Sequence, residues 1–461
     1  MKGVLEALAE LSKYIPAVTK PARRPPLPTR LLWTSIVVFL YLLMGEIPLY
    51  GVMGKAAGGQ QPAALTQMLL GMNIGSLMTL GIGPIVTAGI VLEVLVGGGL
   101  IDMDLTKPRD RKIFMGAQRM LALIFAALEA AAYAAGCQFW TTALGGGGCP
   151  VGAAVKALVV VQLVAATLLL MWFDELVRNG WGIGSALSLF IVANVMKGMA
   201  WRLAGPVQVT REGDYYGWLP QLLLRHDPAI LRHRLPDLVG LIATIVLIMV
   251  LLYMQLMKVY IPVTSPRYGS IKTRIPLNFI YVTNIPILFV GILVADLNVF
   301  HILVAGTAGR GSPIAKVFET IYNVVRPPYG LLDAVSDPLR TLAFAVSWLL
   351  LGLLFGFIWV EIAGLSARQQ AENLVRSGME LPGIRRNTKM LEKILSRYIY
   401  PLTVISSLVV SGIAVLADIF GAYSYGSGLV LMVGIIYNFY ETLAYERTLE
   451  MYPMLQRIIG A

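Results

Sequence analysis

Gly-Ile-Gly-Pro-Ile-Val-Thr-Ala-Gly-Ile-Val-Leu-Glu-Val-Leu-Val-Gly, residues 81–97, is apolar enough for a membrane-spanning helix. Yet it opens with Gly81, Gly83 and Pro84, where such a helix would carry leucine. Glycine weakens a helix by about 1 kcal/mol and an internal proline by about 3 kcal/mol or more. A bilayer core has no water to repair broken backbone hydrogen bonds, so this spot must be buried in protein or line a wet cavity. The segment reads as a helix lining a path, not as a lipid anchor.

The rest of the chain agrees. Of its 461 residues, 57% are hydrophobic and only 14% charged, and the mean hydropathy is +0.72. A soluble chain carries roughly a quarter charged residues. Here the charges cluster between long apolar runs, the pattern of a polytopic membrane protein. At about 20 apolar residues per span, ten spans are expected, at 31–50, 73–96, 113–135, 152–173, 183–203, 237–260, 275–299, 339–362, 397–417 and 427–446. Residues 51–72, rich in Gly, Ala and Gln, are too polar to span and read as a short re-entrant piece. The polar segment 1–30 shows no cleavable signal peptide. Within it Val4, Leu5, Leu8, Leu11 and Ile15 fall at helical spacing and predict an amphipathic helix on the cytoplasmic surface.

Basic residues set the orientation. With the N-terminus cytoplasmic, most of the 37 Lys and Arg fall on that side, among them Arg23, Arg24, Lys107, Arg109, Lys272, Arg274, Arg385 and Lys389. An even number of spans returns the tail, 447–461, to the same side. Arg211, Arg225, Arg232 and Arg234 fall in the external loop 204–236, which is long enough to cross regardless of charge. Cys137 and Cys149 both lie in the external segment between spans three and four, as two free thiols or as a disulfide closing a Gly-rich loop. Spans one to five (31–203) and six to ten (237–446) flank the long loop, which permits two halves around a central path.

No catalytic constellation emerges. There is no Gly-rich loop ending in Lys-Ser or Lys-Thr for a nucleotide. His226, His233 and His301 are too scattered for a metal site, so no cofactor or metal is expected. Ionisable groups inside a membrane are functional candidates by default. Glu46, Glu93, Asp174, Glu175, Asp296, Glu361, Asp418 and Glu441 fall near expected span ends, where an interfacial carboxylate is the commoner reading. Glu129 lies deeper. So few midplane acids leave a secondary transporter with inverted repeats as the second reading, and an intramembrane enzyme as a poor third. The path itself looks apolar: Ile82 and Val86, like Leu187 and Ile191, are four apart and share a helix face. A narrow ring of such side chains repels water and ions, though spacing alone more often marks helix or lipid contact.

Longer motifs weigh in favour of the ring. Thr-Leu-Gly-Ile-Gly-Pro-Ile-Val-Thr-Ala-Gly-Ile (79–90) resembles the second-span signature of the SecY family, the α subunit of the Sec protein-translocating channel. Trp-Phe-Asp-Glu-Leu-Val-Arg-Asn-Gly-Trp-Gly-Ile-Gly-Ser (172–185) is similar to that family's second signature. Tyr-Val-Thr-Asn-Ile-Pro-Ile-Leu (281–288), Leu-Pro-Gly-Ile-Arg (381–385), Arg-Tyr-Ile-Tyr-Pro-Leu-Thr-Val (397–404) and Tyr-Gly-Ser-Gly-Leu-Val-Leu (425–431) fit further segments. The resemblance runs end to end and is closer to the archaeal and eukaryotic branch.

It implies an all-α hourglass channel in two pseudo-symmetric five-helix halves. Such a channel translocates unfolded polypeptide and releases transmembrane segments sideways into lipid, with no enzymatic activity of its own. Its pore ring maps onto Ile82, Val86, Leu187, Ile191, Leu288 and Leu431, and its plug onto about 59–72. The family favours isoleucine in the ring; three leucines keep the seal apolar. A lateral gate between spans two–three and seven–eight would carry a polar cluster of Thr87, Glu129 and Asn284. The cytoplasmic loops 258–275 and 363–396 would dock a ribosome through Arg267, Lys272, Arg274, Arg385 and Arg386. Salt-sensitive phosphate contacts from such residues suit ribosomal RNA; from the residues alone, topology-setting or anionic lipid explains them equally. The partners implied are a SecE-like γ subunit clamping the halves, a small β subunit, the ribosome, signal sequences and nascent polypeptides, and lipid. The implied setting is the cell (plasma) membrane, with both termini cytoplasmic.

Overall fold

The computed structural model describes residues 2–23, 25–52, 67, 70–101, 103, 107–135, 152–209, 214–265, 271–282, 284–307, 312–376 and 388–451. The N-terminal half contains α1 (Lys2–Leu11), α2 (Leu27–Met44), α3 (Gly83–Gly97), α4 (Pro108–Ala135), α5 (Ala153–Leu176) and α6 (Ala186–Ala204). A short helix α7 (Trp218–Arg225) lies in the loop that leads to α8 (Leu238–Leu256). Strands β1 (Lys258–Ser265) and β2 (Ile271–Asn278) follow as an antiparallel ladder, Lys258 opposite Asn278 and Ser265 opposite Ile271. Then come α9 (Ile285–Thr307), α10 (Pro313–Val325), α11 (Leu331–Ser336), α12 (Pro338–Ile362), α13 (Ala367–Arg376), α14 (Thr388–Ile419) and α15 (Gly426–Met451). Among the described residues, eight helices are long and apolar enough to cross a bilayer, and the shorter apolar helices Gly83–Gly97 and Ile285–His301 bring the spans to ten. This is the ten-span helical architecture expected, with one two-stranded ladder added among the described residues.

Two spans begin ten residues later than expected, each for a physical reason. The span expected from 73 begins at Gly83, with Pro84 in its first turn, where a missing N–H has no helical partner to lose. The glycine–proline pair is a helix start, not a break inside a helix. The 15 residues of α3 cover only about 22 Å, so residues 70–82 complete the passage as irregular chain. Irregular chain at this depth is tolerated only inside protein. Leu70, Met72, Met78 and Leu80 are accordingly buried. The backbone is paired as well: Ile82 N–H donates to Leu70 C=O at 2.8 Å, Leu49 N–H to Gly75 C=O at 2.9 Å and Leu77 N–H to Ile47 C=O at 3.0 Å. Gly81 has φ +58°, and a Cβ there would lie 1.9 Å from the Leu70 carbonyl oxygen, so only glycine admits this close crossing.

The span expected from 275 begins instead at Ile285, because residues 271–278 pair with β1. Ile271, Thr273 and Ile275 place β-branched residues at alternate positions, which favours a strand. At the base of the ladder, Val259 and Leu277 pack on a cluster that includes Val282, Val360, Ala371, Leu391 and Ile399. Within the C-terminal half, α12 lies directly on α14. A Cβ at Gly352 would fall 1.8 Å from Ser411 Oγ, and one at Gly356 2.0 Å from Ser407 Oγ. Small residues four apart let membrane helices approach in this way, where dispersion replaces the hydrophobic drive.

Candidate functional site

The six expected ring residues all fall in one extended apolar cluster. Ile82, Ile191 and Leu431 are buried in it, and Val86, Leu187 and Leu288 pack against it. Four come from the N-terminal half, Ile82 just before α3, Val86 within it, and Leu187 and Ile191 in α6; Leu288 comes from α9 and Leu431 from α15. The start of α6, which sets the height of Leu187, is clamped from several directions. Asp174 accepts from the Leu187 N–H at 3.2 Å and from Ser185 Oγ at 3.1 Å, and pairs with Arg178. The Gly182 carbonyl accepts from Arg30 Nε at 3.0 Å, while Ile183 N–H donates to Thr34 Oγ1 at 3.0 Å. Trp172 Nε1, Asn179 Nδ2 and Trp181 Nε1 donate to the carbonyls of Pro16, Val18 and Thr19, strapping the N-terminal segment over this turn. The 172–185 motif is thus a mount for α6.

The expected gate cluster divides. Thr87 and Glu129 line one cavity of about 330 Å³ between α3, α4 and α9, together with Phe125, Leu128, Ala132, Asp296, Val299 and Phe300. Thr87 Oγ1 donates to Asp296 Oδ2 at 3.5 Å. Asn284 is not with them. It precedes Asp296 by twelve residues, about 18 Å along the helix. Its buried amide lies against α15, so close that a Cβ at Gly434 would fall 1.2 Å from Asn284 Nδ2. Gly434 is three residues beyond Leu431, which puts Asn284 beside the ring.

Asp296 was read as an interfacial acid because its span was placed ten residues early, which moved it toward a helix end. The strand alternation over 271–277 was the signal that could have corrected it. Of the other acids, Asp174 and Asp418 are buried, Asp418 accepting from the Gly426 N–H at 2.8 Å. Glu175 pairs with Arg119, and Glu46 with Lys197 at 2.6 Å. Sequence reasoning also missed a buried ion pair, Arg30 with Glu446 at 2.9 Å, joining α2 to α15.

Lys272 and Arg274 sit in β2, opposite Thr264 and Pro262. Arg267, Arg385, Arg386, Cys137 and Cys149 lie outside the described residues, as does most of 59–72. Of that last stretch, Gln67 accepts at its carbonyl from Asn194 Nδ2 at 2.7 Å on α6, and Leu70 holds the Ile82 N–H.

A family model described as SecY matches residues 76–440, most of the chain and the whole of the ring. The chain belongs to the SecY family. A second model, the plug domain of Sec61p, matches residues 39–75, ending where the SecY match begins. The protein translocase subunit SecY of Aeropyrum pernix is 45% identical over 99% of this chain and 99% of its own length. A solved structure described as "The structure of a protein conducting channel" is 32% identical, with a TM-score of 0.78 over 96% of this chain and 98% of that one. Another, "Sec61 in the Canine ribosome-channel complex from the endoplasmic reticulum", is 31% identical, with a TM-score of 0.76 over the same shares. As a SecY family member, the chain is a multi-pass membrane protein and a protein-conducting translocase subunit, a channel and not an enzyme.

Proposed function

We propose that polypeptide passes through the ring formed by Ile82, Val86, Leu187, Ile191, Leu288 and Leu431, and that apolar segments leave through the seam between α3–α4 and α9–α12. The observation that carries the first half is that those six side chains, drawn from both halves, all lie in or against one apolar cluster. A constriction of this kind excludes water and ions while yielding to an inserted chain. The seam reading rests on the cavity at Thr87, Glu129 and Asp296, which straddles the two halves where a 3.5 Å hydroxyl–carboxylate contact joins them. Residues 59–72 act as the plug over the ring, tethered at the described end through Leu70 and Gln67.

The ladder of β1 and β2 and the 363–396 loop form the ribosome-docking face, through Arg267, Lys272, Arg274, Arg385 and Arg386. A two-stranded ladder is marginally stable alone in water, which suits a surface completed by a partner. The γ and β subunits bind in the membrane, the γ subunit across the halves. The channel sits in the cell membrane with both termini cytoplasmic.

The deciding experiment is site-specific crosslinking of a stalled nascent chain from probes at Ile82 and Leu288, with lipid-facing Met249 of α8 as control. Products at the first two positions and none at Met249 are expected. Equal labelling at all three would overturn the ring. Ile82→Gly with Val86→Gly should also raise the resting ion conductance of reconstituted bilayers.

A further inference from the structure

The gate cavity has a feature that an apolar exit does not require. Its walls are Phe125, Leu128, Ala132, Val299 and Phe300, with Leu128 and Phe300 more than half exposed on the membrane-facing side. Into this apolar space project two carboxylates, Glu129 from α4 and Asp296 from α9, one from each half. Asp296 receives the Thr87 hydroxyl; Glu129 has no hydrogen-bond or ion-pair partner among the described residues. Among those residues no Lys, Arg or His lies within 4.0 Å of either carboxylate, although Asp174, Glu175, Glu46 and Glu446 all have such partners. An acid in the bilayer core is costly and is ordinarily matched by a cation or a wet path. The structure supplies the acids and the cavity, and leaves the cation to come from outside.

Resting on the reading of this seam as the exit, we propose that Glu129 and Asp296 form a selectivity site for a basic side chain carried within an apolar segment leaving the channel. Three properties of the site together fit that occupant. The cavity of about 330 Å³ accepts a long side chain rather than a whole helix. Its aromatic walls suit the methylene stem of Lys or Arg and the cation itself, since ring faces attract cations. The paired carboxylates stand on the two elements that must separate, so a cation between them is held only while the segment is in transit. A lysine or arginine at the centre of a span is among the costliest residues to place in lipid. A counter-charge at the exit lowers that cost at the step where the segment is sorted between pore and lipid.

The test uses the full channel reconstituted with its partners and ribosome-bound chains bearing one apolar segment of about 20 residues. Its central position is Ala, Lys or Glu. The quantity read is the inserted-to-translocated ratio for the Lys or Glu segment relative to the Ala segment in the same channel. With Asp296→Asn, which keeps an acceptor for Thr87, the Lys ratio should fall about fivefold, the size of one interhelical polar contact, and the Glu ratio should not fall. Glu129→Gln is measured in parallel, so misfolding of one variant does not end the test. An unchanged Lys ratio in both variants overturns the inference; so does an equal fall for Lys and Glu, which would mark general polarity rather than charge. A photoprobe at Val299 separates this failure from failure of the exit reading. Crosslinks to the Ala segment with flat ratios sink the selectivity site alone, whereas no crosslink to any segment sinks the exit and the inference with it.

Discussion

On one side, the two halves meet along α2, α6 and α15. There Arg30 and Glu446 pair at 2.9 Å with both side chains nearly buried, and Leu27 N–H donates to Glu450 Oε1 at 2.7 Å. At the other end Arg202 Nη1 donates to the Ala422 carbonyl at 3.1 Å and its guanidinium lies 4.8 Å from the Tyr425 ring centroid. On the opposite side, α3 and α4 meet α9 and α12 through a 3.5 Å hydroxyl–carboxylate contact, a cavity of about 330 Å³ and the backbone of Gly97 against Ile362. The first seam is anchored by charge at both membrane faces; the second is held by contacts each worth about 1 kcal/mol or less. A channel that must open sideways and reclose needs this inequality. Were the seams equal, an inserted segment would split the halves apart instead of swinging them.

The largest effect should come from breaking the anchored seam. Arg30→Ala removes both the ion pair to Glu446 and the donor to the Gly182 carbonyl, a loss of about 3 kcal/mol. A clear fall in the Tm of the detergent-solubilised channel is expected. If Arg30→Ala melts no earlier than a substitution at Thr87, the two seams do not differ in strength and the comparison collapses.

A matched pair of glycines tests the next level. A Cβ at Gly97 would lie 2.2 Å from Ile362 Cγ1 and 3.0 Å from the Ile362 backbone, so Gly97→Ala must push α3 away from α12. At Gly428, on the anchored seam, the nearest atom would be Val195 Cγ2 at 3.3 Å, a methyl group with room to turn. Overpacking of the first kind costs about 1–3 kcal/mol. Gly97→Ala should therefore raise the resting conductance of planar bilayers and Gly428→Ala should not; the reverse order would mean that the wrong seam has been assigned to opening. Thr87→Val comes third. It removes only the hydroxyl held by Asp296, worth about 1 kcal/mol, and should let less apolar segments insert while the Tm moves little.

How far the sequence foretold this contrast depends on which physical signal each part leaves behind. The proposed ring takes its support in the sequence from Ile82 with Val86 and Leu187 with Ile191, which repeat at helical spacing inside recognisable motifs. The ten spans were legible from hydropathy, since lipid demands long apolar helices. The gate was only half legible. Hydropathy cannot tell the strand 271–278 from the start of a helix, so Asp296 moved to an apparent span end and Asn284, about 18 Å before it along the chain's helix, took its place beside Thr87 and Glu129. The anchored seam was invisible, because nothing local in Arg30 or Glu446 announces a partner more than 400 residues distant in the chain. Asp174, read as an interfacial acid, is in fact the cap that fixes Leu187; the turn glycine at 180 was the one local hint of the tight turn it serves.

The loop with α7 carries the chain from α6 to α8 and so belongs to the anchored side, where it allows a finer test. Buried Gln221 donates through Nε2 to Asp214 at 3.2 Å and to Asp227 at 3.3 Å, and Ala229 N–H donates to Asp227 Oδ1 at 3.0 Å. These bonds, the Ala229 N–H foremost and the Gln221 amide next, hold the Asp227 carboxyl below its ordinary value. A carboxyl whose folded pKa lies under its unfolded value, about 3.9, stabilises the fold fully above that value and loses the contribution as pH falls through the folded one. Hydrogen exchange at the Ala229 amide, corrected for its intrinsic rate, should therefore stay flat from neutrality down to about pH 4 and accelerate below it. Asp227→Asn has no charge to lose and should abolish that acid-side acceleration while leaving the Arg30-dependent Tm in place. An identical acid limb in both proteins would show that Asp227 plays no part in holding the loop, and that the anchored seam ends at Arg202.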